Sequence, residues 1–169
     1  MSRCPWGLRV RPYTERPDCA SVAVGRHREG IGDMDVFDVN WLAVVLAALA
    51  GFVVGGIWYG PVAGKAWMAA LGKTAEDIQQ TNMVKTYGLT FLLSLLASWT
   101  LAHTFATYAQ ELSVVVKVLT AFGVALGFIL PALWTNYLYQ DAKRPLFWID
   151  GIYWLLFYTA MGLVHAYMP

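Results

Sequence analysis

The chain has 169 residues, of which 58% are hydrophobic, 15% aromatic and only 14% charged, with a formal net charge of +1. A water-soluble domain of this size cannot hide so much apolar surface, so the expected solvent is a lipid bilayer. The near-balanced charge gives no footing for nucleic acid, and Cys4 and Cys19, both ahead of the first apolar run, supply neither a disulfide nor a metal-ligand pair to the hydrophobic part.

Residues 1–33 carry six arginines and three prolines and no apolar run long enough for a signal-peptide core. They read as a disordered extension: a basic arm for anionic headgroups, an Arg-rich transit peptide against which Glu15, Asp18 and Glu29 count, or a start placed too early, with Met34 the true first residue. From there the chain reads as all-α, a polytopic membrane protein built as a four-transmembrane-helix bundle, with spans at about 39–59, 86–108, 118–139 and 146–167. Each is long enough, at about 1.5 Å per residue, to cross a hydrocarbon layer of about 30 Å.

The first span has Trp41 near one end and Trp58 and Tyr59 at the other, where amphipathic rings favour the headgroup level. Gly51 and Gly55 form a small-residue stripe that admits a second helix at close range. The loop that follows contains GKAWMAAL, a short interfacial helix bearing Lys65 and Trp67, closed by a C-cap at Gly72. Thr74 and Asp77 then form a capping box, so the second helix is expected to begin near Ala75 and run unbroken into the bilayer. The short turn 109–113 implies that the second and third helices are antiparallel neighbours. In the third span Gly123 and Gly127 form another stripe, and Pro131 predicts a bend near mid-helix. Lys117 is placed to snorkel outward at the entry of that span.

Basic residues sort the loops. Lys65, Lys73 and Lys85 follow the first span, and Lys143 and Arg144 follow the third. The positive-inside tendency makes both loops cytoplasmic and both termini external, an orientation that six arginines ahead of the first span would oppose. A faint internal echo accompanies this arrangement: Gly51, Phe52 and Trp58 recur as Gly127, Phe128 and Trp134. It reads either as a parallel repeat of two hairpins or as coincidence in a chain rich in these residues.

Polar residues inside the spans fall into two layers. Asn40, His103 and His165 belong near the outer face, each histidine roughly 27 Å along its helix from the basic loops. Asn136, Asp150, Tyr59 and Tyr137 belong near the inner face. Ionisable groups at membrane depth are candidates for function: the histidines for sharing a proton or metal, and Asp150 for gating a cation. The opposing readings are structural. Both histidines can reach interfacial water and lack a third metal ligand, and Lys143, Arg144 and the helix dipole would hold Asp150 ionised, with Asn136 as its hydrogen-bond partner. No nucleophile, metal-protease or phosphate-binding motif occurs, so no enzymatic activity, cofactor or metal is expected.

The pieces Asn40-Trp41, Trp58-Tyr59-Gly60-Pro61, Gly64-Lys65-Ala66-Trp67-Met68 and Thr135-Asn136-Tyr137, with IDGIYW opening the last span, resemble the bacterial integral-membrane family catalogued as domain of unknown function 1761. The resemblance implies a helical inner-membrane protein that begins a few residues before the Asn-Trp pair, and it implies no activity, substrate or catalytic residue. Three functions stay open: a homo-oligomeric transport or channel subunit for a small solute or ion, an accessory protein packed against a larger membrane complex, and, last, an enzyme at the inner face using Asp150, Asn136 and Lys65.

Overall fold

The computed structural model describes residues 39–79, 82–108 and 111–168. The extension 1–33 and the start at Met34 lie outside the described residues. Every regular element among the described residues is helical: α1 (Trp41–Ile57), α2 (Gly64–Leu71), α3 (Ala75–Gln79), α4 (Met83–Ala106), α5 (Val114–Val124), α6 (Leu130–Tyr139) and α7 (Arg144–Tyr167). Two widened turns of π type, Trp58–Val62 and Ala125–Ile129, extend α1 and join α5 to α6. The result is four apolar rods long enough to span a membrane, Trp41–Val62, Met83–Ala106, Val114–Tyr139 and Arg144–Tyr167.

Local chemistry sets the ends of these rods. Asn40 caps α1, its side chain accepting from the Ala43 N–H at 3.1 Å. Gly72 closes α2 with φ of 68°, a left-handed conformation that glycine adopts without steric penalty. Thr74 and Asp77 form the reciprocal box, with the Thr74 N–H donating to Asp77 at 2.8 Å and the Asp77 N–H donating back at 3.2 Å. The Thr74 N–H and hydroxyl hold the Asp77 carboxyl below its usual range. The expected unbroken second helix is corrected: α4 starts afresh at Met83 because Asn82 leaves the helical region with ψ of 88° and its side chain caps the Lys85 N–H.

The prolines act through the widened turns. Around Pro61 the Ala63 N–H reaches back five residues to the Trp58 carbonyl at 2.7 Å, and the Leu130 N–H does the same to Ala125 just ahead of Pro131. A proline offers no N–H and crowds the preceding turn, and an extra residue in that turn relieves the crowding. The mid-span irregularity expected at Pro131 is therefore a π-type turn over Ala125–Ile129.

Helix α7 is the axis. It packs along α1 on one side and α5 on the other, while α4 packs chiefly along α1. The expectation that the second and third spans are neighbours is corrected, because α4 and α5 follow one another in the chain yet each makes its main contacts elsewhere. Small residues decide the pairing. A Cβ on Gly51 would lie 2.6 Å from the Phe157 ring, one on Gly55 3.3 Å from the Tyr153 hydroxyl, and one on Gly162 2.6 Å from the Ala121 Cβ. By contrast, a Cβ on Gly123 or Gly127 meets nothing within 4 Å, so the packing role expected of these two is not exercised inside the chain; Ala121 and Ala125 carry that contact. The core that results is Ala47, Ala121, Ala125, Phe157 and Met161 with Leu101, Phe105, Tyr153 and Tyr158 around them.

Gly51→Leu and Gly162→Leu should each lower stability in detergent by about 1–3 kcal/mol through overpacking, leaving the particle size unchanged. A smaller particle with an unaltered thermal melt would contradict these intramolecular contacts.

Candidate functional site

At the end of the bundle that carries α2, three helices converge on one carboxylate. Asp150 lies two turns into α7 and is 4% exposed. The Tyr59 hydroxyl, from the widened turn after α1, donates to its Oδ1 at 2.5 Å, and the Tyr137 hydroxyl, from α6, donates to its Oδ2. Each oxygen of the carboxylate thus has its own phenol donor, one from either side of α7. A buried charge demands such partners, because in hydrocarbon no water can replace them.

Two indoles fix the same junction. The Trp58 Nε1–H donates to the Ile149 carbonyl at 3.0 Å, and the Trp134 Nε1–H donates to the Phe147 carbonyl at 3.0 Å. These are the two tryptophans of the sequence echo, and they do equivalent work on opposite flanks of α7. Trp58 and Tyr59 are adjacent, about 100° apart on a regular helix, yet both reach α7; the widened turn they occupy narrows that divergence. Aromatic rings close the surroundings: Tyr153 stands 4.8 Å from Tyr59, centroid to centroid, and Trp67 of the interfacial helix 5.2 Å from it. Gly64 permits this approach of α2, since a Cβ there would lie 2.3 Å from the Tyr59 carbonyl oxygen.

The expected partners of Asp150 are corrected here. Asn136 is exposed, and among the described residues the carboxylate's hydrogen bonds come from the tyrosines. Lys143 turns away to donate to the Ala69 carbonyl at 3.3 Å, tying the second basic loop to α2, and Arg144 faces a groove with Trp134 and Trp148. Lys65 is exposed on α2. Neutral phenols, rather than cations, hold this carboxylate.

A second polar cluster lies at the opposite end of α7. The Ser98 hydroxyl donates to the Val44 carbonyl at 2.8 Å and sits 3.0 Å from His165 Nε2. The hydroxyl has one proton and gives it to Val44, so the histidine must donate through Nε2–H. Lys117 is buried rather than snorkelled outward, its Nζ 3.5 Å from the His165 carbonyl. The two histidines have different ring neighbours: His103 packs edge-on against Trp99 at 4.7 Å, and His165 meets Phe105 at 6.0 Å. Asn40, read as a polar candidate, is a helix cap.

Sequence reasoning grouped Tyr59, Tyr137 and Asp150 by depth but missed Tyr153, Trp134 and Lys117 as parts of sites. Tyr153 is readable in hindsight, three residues after Asp150 on one helix face, and Trp134 through its echo of Trp58. Nothing in the sequence points Lys117 inward.

Chemically, the Asp150 site can exchange a proton or accept a monovalent cation against a carboxylate ringed by aromatic faces. Comparison with known proteins adds one match: residues 42–166 fit a family described as Protein of unknown function (DUF1761). No curated protein and no solved structure matches.

Tyr59→Phe and Tyr137→Phe should each cost about 1–3 kcal/mol in a reversible denaturant titration, since each strips a donor from a buried carboxylate. In an Asp150→Leu background the same substitutions should cost nothing further. Equal costs in both backgrounds would show that the phenols do not serve Asp150.

Proposed function

We propose, starting from a chain that belongs to the DUF1761 family, that it is a subunit of a homo-oligomeric transport protein moving a proton or a small cation, with Asp150 as the exchanging group. The observation that carries this reading is the buried Asp150 carboxylate, held at its two oxygens by the hydroxyls of Tyr59 and Tyr137. A purely structural anion at membrane depth is better served by a cation or replaced by an apolar residue. Tyrosine hydroxyls instead bring no positive charge to the carboxylate, and their rings suit a positively charged solute.

Oligomerisation is part of the proposal. A lone four-helix unit is too thin to enclose a path, and large side chains such as Phe128, Leu92 and Val115 stay exposed on its flanks. In this reading the protein sits in the inner membrane with the Lys65, Lys73, Lys143 and Arg144 side cytoplasmic and the C-terminus outside, following the loop charges. The accessory-subunit reading has its own support in the open Gly123 and Gly127 positions, where another protein's helix can approach closely. Neither reading assigns the chain bond-making chemistry.

The test is ion flux into proteoliposomes carrying a trapped pH-sensitive dye. Asp150→Asn should abolish flux while Asp150→Glu retains part of it, each compared with the wild type at equal amounts of folded, reconstituted protein. Wild-type flux in Asp150→Asn would overturn the transport role of this residue. Absence of flux in the wild type, together with co-purification of a defined larger complex, would favour the accessory reading.

A further inference from the structure

Flanking the Asp150 site, but opening to the lipid face rather than into the bundle, is a groove of about 270 Å³ between α6 and the first turns of α7. Its walls are Trp134, Leu138, Phe147 and Trp148, and Arg144 stands among them. Leu138 is 72% and Trp148 65% exposed. The walls are nonetheless ordered: the Trp134 indole is tied to the Phe147 carbonyl, and the Trp134 and Trp148 rings pack edge to face at 5.8 Å. Among the described residues no hydrogen bond or ion pair engages the Arg144 guanidinium, whereas its neighbour Lys143 is bonded to α2.

We infer that this groove binds one anionic phospholipid, with an acyl chain along the tryptophan-lined wall and the phosphate on Arg144. The groove opens on the surface of a membrane-spanning helix pair, so its occupant comes from the bilayer. The apolar walls accept hydrocarbon, and the planar guanidinium at the basic-loop end matches a phosphate bidentately. A zwitterionic headgroup offsets that phosphate with its own ammonium, which is why the charge complementarity selects an anionic lipid. The indoles at this level suit the boundary between chain and headgroup.

The experiment is native mass spectrometry of the purified full chain in mild detergent, titrated in parallel with phosphatidylglycerol and phosphatidylcholine. The wild type should retain one phosphatidylglycerol in preference to phosphatidylcholine by about fivefold, the expected contribution of one basic residue near a headgroup. Arg144→Gln should erase the preference while phosphatidylcholine retention stays the same. Leu138→Trp, which fills the groove and leaves the arginine in place, should lower retention of both lipids. Lys73→Gln, an exposed charge on the same side, should change nothing. Equal retention of the two lipids by the wild type, a preference that survives Arg144→Gln, or full retention in Leu138→Trp would each overturn the inference.

Discussion

One constraint organises this molecule: a carboxylate inside an apolar span must find donors, and the donors available are phenols on two other helices. Asp150 sits on α7, Tyr59 on the extension of α1 and Tyr137 on α6, so satisfying one side chain draws three of the four spans to a point. Bilayer hydrocarbon makes that demand stricter than water would, because an unmet hydrogen bond there has no solvent to fall back on. The indoles of Trp58 and Trp134 add a matching pair of bonds to the backbone of the same helix, which locks the rotation of both flanking spans about α7.

Close packing does the rest of the work along the axis. Without a hydrophobic drive between helices in lipid, association depends on how nearly backbones approach, and Gly51 and Gly162 give α7 such an approach on each flank. The two widened turns belong to the same design. Each accommodates a proline in a span that flanks α7, and the first of them aims Trp58 and Tyr59 at the carboxylate end. At the other end the Ser98, His165 and Lys117 cluster stitches α4 and α5 to α7, so polar contacts mark both ends of the axis and apolar contacts fill its middle.

How much of this was legible follows from which interactions are local. Spans declare themselves through uncharged length, and caps through residues a few positions apart, as with Asn40, Gly72 and the Thr74–Asp77 box. Pairing between helices is not local. The short connection after α4 says that the next helix returns, but the surface it packs on depends on where glycine and alanine meet large rings, and Gly51 gave no hint that its contact would be Phe157. Depth alone placed Asp150 beside Tyr59 and Tyr137, yet depth also nominated Asn136, which is exposed on α6. Lys117 defeated sequence reasoning for the same reason: a long flexible side chain near a helix start can point either way, and burial against His165 is a property of the assembled bundle.

The central claim is that both phenols bond to Asp150. It is tested most directly by vibrational difference spectroscopy of ring-labelled tyrosine, comparing the wild type with Asp150→Asn in lipid. The account predicts shifted phenol C–O bands that disappear when Tyr59 and Tyr137 are both phenylalanine. Tyrosine bands that are identical in the wild type and Asp150→Asn would contradict it.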